Sequence, residues 1–156
     1  MTDPSPKTLR TALGAFATGV TVVTALDPGG KSIGMTVNSF AAVSLDPPLV
    51  LWSVQRRNGS FAAFNTASHY AVHVLHAGQQ GVSNHFAQEL EDKFQGIAHH
   101  QGIAGLPLLD DFTARFQCSV EQRLDGGDHV ILLGRVMDIE YRPDEPLIFH
   151  ASAYRS

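Results

Sequence analysis

The sequence predicts a mainly β domain: an antiparallel barrel with a few short helices at its periphery. Three observations carry this. About six or seven short runs rich in β-branched and apolar residues are separated by Gly, Pro, Asp or Asn clusters. Helical spacing occurs only in short segments that do not alternate regularly with the strands, against a doubly wound parallel sheet. No GxGxxG follows a strand, which removes support for a Rossmann-type dinucleotide site.

In chain order, residues 1–6 (MTDPSP) read as a flexible tail. Pro6 opens a helix with Ser5 as its cap, and Leu9, Ala12, Leu13 and Phe16 recur at helical spacing up to a stop near Gly19. VTVVTAL (20–26) and SIGMTVN (32–38) flank the turn cluster Asp27-Pro28-Gly29-Gly30 and form a hairpin. Asp46-Pro47-Pro48 ends one strand and launches LVLWSV (49–54), whose continuous apolar run predicts burial on both faces. SFAAFNTA (60–67) is helical by the spacing of Phe61 and Phe64, and HYAVHVL (69–75) returns to strand. GQQGVSNHFAQELEDKF (78–94) reads as one or two short helices, and 95–111 as loop, punctuated by Gly96, Gly102, Gly105 and Pro107. FTARFQCSVEQRL (112–124) and HVILLGRVMDIEY (129–141) are two long strands around Asp125-Gly126-Gly127-Asp128, and Pro143 to Phe149 adds an edge strand.

A chain of 156 residues is sized for a single domain, here 1–156. A domain near this size buries roughly 70% of its unfolded surface, so it needs no disulfide or metal staple. The charged fraction, 17%, lies below the usual ~25% and points to surface covered by another subunit. A net charge of −4 without a basic block argues against nucleic acid or anionic membrane as a partner. The one cysteine, Cys118, has no internal disulfide partner and reads as a small buried hydrophobe in the strand FTARFQCSV rather than a reactive thiol. With no secretory apolar core near the start and no apolar run of ~18 residues, a cytoplasmic protein is expected.

Three places concentrate polar chemistry. In MTVNSF (35–40), Thr36 and Asn38 share one strand face, with Ser39 beside them. They form either a solvated face and turn or a row of donors and acceptors for a polyhydroxylated ligand. In SVQRRNGSF (53–61), a buried strand runs into Arg56-Arg57 and then Asn58, Gly59 and Ser60 at a helix start. That is either plain capping or a phosphate site. In GGDHVILLG (126–134), Asp128 and His129 either support a turn or place a histidine at a strand mouth, where it can serve a ligand neutral or cationic. The other histidines do not build a metal site: His69 and His73 share strand parity but stand roughly 13 Å apart along the chain. His76 has the opposite parity, and His99-His100 lacks a Cys or acidic partner pattern. No GxSxG, HExxH or Walker loop is present.

Taken together and in order, GAFATGVTVVTA (14–25), GMTVNSFAAVSLDPPLVLWSV (34–54) and GGDHVILLGRV (126–136) resemble the short-chain flavin reductases, the reductase components of two-component flavin-dependent monooxygenases. The resemblance runs from about Leu9 to Tyr154. It implies an FMN-binding split β-barrel of Greek-key topology, a homodimer, FMN or FAD as flavin, NADH or NADPH as co-substrate, and a monooxygenase partner that receives the reduced flavin. By resemblance, Thr36, Val37, Asn38 and Ser39 contact the isoalloxazine edge and ribityl chain, and the backbone of Ser53, Val54 and Gln55 lines the ring. Arg56, Asn58 and Ser60 take the phosphate, and Lys93 and Phe94 sit at the flavin rim. Gly127, Asp128 and His129 match the nicotinamide motif, with His129 as the residue nearest to catalysis and Tyr154 as a further contact. Arg57-Asn58-Gly59 departs from the more hydroxyl-rich loop of many relatives. No arginine cluster suited to a 2′-phosphate is evident, which favours NADH.

The chemistry such a site needs agrees with its residues. The cofactors carry the hydride, so the protein has to stack, aim and offer hydrogen bonds, without a carboxylate pair. Two other readings remain open on sequence: a flavin- or haem-binding module without turnover, and a pyridoxamine-phosphate-oxidase-like enzyme that retains FMN. A zinc hydrolase is the weakest rival.

Overall fold

The computed structural model describes residues 3–155, so Met1 and Thr2 of the expected tail lie outside the described residues. Helix α1 (Pro6–Leu13) starts as its sequence dictates: Ser5 Oγ accepts the Thr8 N–H at 3.2 Å, and Pro6 stands where a helix needs no donor. It ends at Leu13 with Gly14 as cap, well short of Gly19. The reason is tertiary. Thr18 and Gly19 form strand β1 (Thr18–Gly19) and pair with residues 148–149 near the C-terminus. None of α1 is buried, so its apolar stripe faces outward.

The remaining strands are β2 (Thr21–Leu26), β3 (Ser32–Val37), β4 (Ala41–Leu45), β5 (Pro48–Gln55), β6 (His69–Val74), β7 (His99–Gln101), β8 (Pro107–Leu109), β9 (Ala114–Gly126), β10 (His129–Tyr141), β11 (Ile148–His150) and β12 (Ala153–Arg155). Two short helices join them, α2 (Phe61–Thr66) and α3 (Gln80–Phe86). The main sheet has seven strands in the order β3-β2-β6-β9-β10-β5-β4, every pairing antiparallel. β1, β11 and β12 form a second, small sheet, and β7 and β8 a hairpin.

Four expectations need correction. LVLWSV is not buried on both faces: Val50, Trp52 and Val54 enter the core while Leu49, Leu51 and Ser53 are half-covered. The segment 78–94 is helical only to Phe86, after a 3-10 turn over Ala77–Gln79. The region 95–111 contains the β7–β8 hairpin, and the strand that Asp46-Pro47-Pro48 ends is β4 (Ala41–Leu45), separate from β3. The C-terminal edge strand starts at Ile148 rather than Pro143 and is followed by β12.

Burial of aromatic and branched side chains is the main stabilising term. Trp52 packs edge-on against Phe64 (5.0 Å) and Tyr70 (5.9 Å) in the larger core. Phe86 and Phe94 join Val20, Val22, Leu75 and Leu109 in a second core. Cys118 is fully buried, and desolvation pushes its thiol up to about 12, so it is inert. Gly134 lies at a register shift between β9 and β10, where a Cβ would collide with Tyr70 Oη. Tyr70 donates from that oxygen to Leu132 O at 3.1 Å.

His73 is a structural staple. Its Nε2 accepts the Leu109 N–H at 3.0 Å, which leaves the proton on Nδ1 to donate to Val22 O, also at 3.0 Å. Thr24 Oγ1 adds a bond to Pro107 O at 2.6 Å, and together they fasten β8 onto the sheet. Complete burial drives the imidazole pKa down to about 3.

Candidate active site

β3 is an edge strand of the main sheet, and its open side faces α3 and the segment that follows it. Two groups of side chains gather along that edge, and another lies at the end of β5.

The first is an apolar slot of about 230 Å³, walled by Val20, Thr36, Val37, Asn38, Phe149 and Tyr154 and backed by Ser83 and Ala87 of the α3 region. Thr36 Oγ1 donates to Ser83 O at 2.6 Å, so its proton is committed and its lone pairs remain. Val37 turns its side chain into the core, and its carbonyl accepts from Thr21 Oγ1 at 3.0 Å. Asn38 is exposed and its amide makes no hydrogen bond among the described residues. It also borders a second cavity of about 520 Å³, beside Phe16, Thr18, Ser39 and Phe40. Thr18 Oγ1, on that cavity's wall, is buried and has no partner among the described residues.

The second group lies at the end of β5. Ser39 Oγ accepts the Ser53 N–H at 3.0 Å and donates to Ser53 O at 3.2 Å, joining the end of β3 to β5. Val54 points into the core. Gln55 pairs with His129, two residues or about 7 Å of strand beyond Ser53. β9 and β10 run to Gly126 and His129, so the turn is Gly127-Asp128 alone, with Gly127 at φ 75°, as a tight hairpin with a leading Gly requires. Arg56 clamps this turn: its Nε donates to Gly127 O at 2.9 Å and its Nη2 to Asp125 Oδ1 at 2.6 Å. His129 Nδ1 lies 2.8 Å from Asp128 Oδ1. The hydrogen bond from His129, then its charge, holds the Asp128 carboxyl below the ordinary carboxylate range.

The third group is a polar cavity of about 360 Å³ between Asn58, Gly59 and Ser60 on one side and residues 87–90 and Lys93 on the other. Asn58 Oδ1 accepts the Ser60 N–H at 2.8 Å, and Asn58 O accepts the Phe61 N–H at 3.0 Å. Two of the backbone donors expected for a phosphate are therefore used within the loop. Ser60 Oγ makes no hydrogen bond among the described residues. Lys93 Nζ donates to Gly34 O (2.9 Å) and Phe86 O (3.0 Å), leaving one N–H. Burial lowers its pKa, against the opposing pull of Glu89. A further cavity of about 230 Å³ shares Gly59, Ser60, Leu90 and Lys93 and continues to Asp27 and Lys31.

The structure thus brings Thr36, Asn38 and Tyr154 into one slot, Ser53, Gln55, Arg56, Asp128 and His129 to one end of β5, and Asn58, Ser60 and Lys93 around one polar cavity. Phe94 is placed elsewhere: its ring is 4% exposed and packs on Phe86 and His99. Sequence reasoning missed Ser83, Asn84, Ala87 and Phe149. Their only signal was the Ser-Asn pair inside SNHFAQ. Among the described residues no cluster of three or more His, Cys, Asp or Glu can hold a metal, and no helix is long and apolar enough to cross a membrane.

Known proteins with this sequence pattern agree with one another. The chain is 45% identical over 148 residues to "FMN reductase (NADH) SmoA" of Agrobacterium fabrum, covering 95% of this chain and 84% of that one. It is 47% identical over 135 residues to a "Probable flavin reductase" of Rhizobium meliloti, covering 86% of this chain but only 43% of that longer protein. Other relatives are reductase components of flavin-dependent monooxygenases. Among solved structures, the Streptomyces globisporus NADH:FAD oxidoreductase SgcE6, in complex with NAD and FAD fragments, superposes with a TM-score of 0.92 at 36% identity, covering 100% of this chain and 95% of its own. The family profile described as "Flavin reductase like domain" matches residues 13–156, and the chain belongs to that family.

Proposed function

We propose that this protein is an NAD(P)H:flavin oxidoreductase, of the EC 1.5.1 type, that reduces FMN or FAD with NADH and supplies reduced flavin to a partner monooxygenase. The observation that carries this reading is the groove along the β3 edge. The slot at Thr36–Asn38 and the polar cavity at Ser60 and Lys93 share Ala87 as a wall, so a flat apolar seat adjoins an anion-accepting one. That is the demand a flavin nucleotide makes: a ring to bury, a ribityl chain to hydrogen-bond and a phosphate to hold. The available groups fit. Asn38 offers an unpaired amide, Ser60 a hydroxyl and Lys93 one N–H. Arg56 acts on the hairpin turn, where it holds Asp128 and His129 in place.

When bound, the flavin supplies the hydride-accepting ring and NADH the hydride. The chain's own part is to orient and to exclude water. Val20 and Phe149 dry the slot, Asn38 orients at its rim, and His129, paired to Asp128, presents Nε2 beside the end of β5 for the nicotinamide nucleotide. Crossing NADH and NADPH with FMN, FAD and riboflavin in steady-state assays tests the reading. Nicotinamide oxidation that requires added flavin supports it. Flavin binding without turnover favours the non-enzymatic alternative, and a flavin retained through purification favours the oxidase-like one.

We further propose a homodimer working in the cytoplasm. Leu45 (97% exposed), Phe16 (76%) and Tyr141 (68%) stand out from the surface with Leu13, Met137 and Ile139. Apolar groups of this size in water mark a covered surface, and a stable dimer needs about 800 Å² from each partner. Light scattering on the purified protein reads the mass directly, and Leu45→Glu is expected to shift it toward monomer.

A further inference from the structure

We propose that Ser83 is a positioning residue for nicotinamide use, acting through Tyr154. The proposal rests on two readings above: that the slot seats the flavin ring, and that Tyr154, on its wall, contacts the nicotinamide nucleotide brought against that ring. Ser83 is fully buried on α3. Its Oγ lies 2.8 Å from Tyr154 Oη. Tyr154 Oη also lies 2.9 Å from Asn84 Oδ1, an oxygen that only accepts. The single phenol proton therefore goes to Asn84, and Ser83 must be the donor to Tyr154. The chain of hydrogen bonds has one direction: Ser83 to Tyr154 to Asn84.

Two consequences follow. The phenol has no proton to give a ligand, so Tyr154 serves the slot as a wall and not as an acid. The wall is also fixed at both sides of its hydroxyl by adjacent residues of α3, while its ring packs edge-on against Phe149 at 5.3 Å. Ser83 adds the third tie, because its carbonyl receives the Thr36 hydroxyl at 2.6 Å. β3, α3 and β12 thus meet at one residue, and the slot of Thr36, Asn38, Phe149 and Tyr154 takes its width from it. A ring entering a slot of set width loses little further freedom, and a loosened wall weakens that entry.

The test is steady-state kinetics with NADH varied at saturating flavin, with flavin affinity measured separately by fluorescence quenching. Ser83→Ala and Tyr154→Phe are each expected to raise the KM for NADH at saturating flavin about five- to twentyfold with kcat within about twofold, and, because the same slot seats the flavin ring, to raise the flavin Kd as well. The double variant is expected to match Tyr154→Phe, because that substitution already removes the bond to Ser83. The pH profile of kcat in Tyr154→Phe is expected to overlay the wild type. If both single variants keep the wild-type KM while Tyr154→Ala raises it, the role of Ser83 is overturned and that of Tyr154 stands. If Tyr154→Ala also leaves KM unchanged, the underlying placement of the nicotinamide nucleotide fails instead. Should Ser83→Ala fail to fold, Tyr154→Phe is compared with Asn84→Ala: a rise in KM that Asn84→Ala does not reproduce belongs to the Ser83 bond, and an equal rise overturns it.

Discussion

Ser39 Oγ bonds both backbone polar atoms of Ser53, accepting its N–H at 3.0 Å and donating to its carbonyl at 3.2 Å. A side chain here does the work of a missing ladder pair, joining the end of β3 to β5 where β4 has not yet begun. Its neighbour Asn38 makes no such bond among the described residues. Ser39 is therefore structural, while Asn38 keeps its amide open among the described residues for the ligand role proposed for it.

Ser39→Ala leaves a donor and an acceptor of Ser53 without their partner. It is expected to cost ~1–3 kcal/mol of stability by chemical denaturation. Asn38→Ala is expected to stay within ~0.5 kcal/mol of wild type in the same measurement and to raise the flavin Kd by fluorescence quenching. A reversed pattern would exchange the two roles.

His129→Ala is expected to weaken NADH use more than flavin binding, read as a larger rise in the KM for NADH than in the flavin Kd. Arg56→Ala, which releases the clamp on Gly127 O and Asp125, is expected to reproduce part of that effect without touching a ligand. Equal losses of NADH use and flavin affinity in His129→Ala would count against the division of labour.

Stability is expected to depend on pH through His73. Its folded-state pKa, about 3, lies below the ordinary 6.5, so the unfolded chain takes up the proton first as pH falls. The contribution is complete above about 6.5 and is lost progressively toward pH 3, at up to ~1.4 kcal/mol per pH unit. Denaturation at several pH values should give a slope over that window that shrinks in His73→Gln. Amide exchange gives a local readout, since Leu109 N–H loses its acceptor when the ring is protonated. A slope unchanged by the substitution would place the acid sensitivity elsewhere.

Gly134→Ala drives a methyl group into Tyr70 Oη at the β9–β10 register shift. Overpacking of this kind is expected to lower stability by ~1–3 kcal/mol and Tm by roughly 3–10 °C. A melting curve that overlays the wild type would show that Tyr70 can move aside.

Much of the fold was legible because local and tertiary demands agree. Ser5-Pro6 caps a helix, Asp27 to Gly30 turns a hairpin, and Gly127-Asp128 turns the longest one. What escaped was decided by partners distant in sequence. Thr18 and Gly19 leave the helical pattern because residues 148–149 pair with them. Leu106, Leu108 and Leu109 look like a loop until His73 and Thr24 hold them to the sheet. The site divides in the same way. Asn38, Ser60 and His129 were nameable as candidates from motif and resemblance. Sequence could not say that Thr36, Ser39 and Arg56 spend their hydrogen bonds on the scaffold, that Phe94 belongs to the core, or that Ser83 meets Tyr154 across 71 residues.

The central claim is that this chain moves a hydride from NADH to flavin. Mixing the protein with NADH and flavin in the absence of oxygen, and following the visible absorbance of oxidised flavin, tests it most directly. Bleaching matched one-to-one by NADH consumed is expected, at a rate far above that of the same mixture without protein. Flavin that stays yellow at the protein-free rate, with every combination of FMN, FAD, NADH and NADPH, would contradict it.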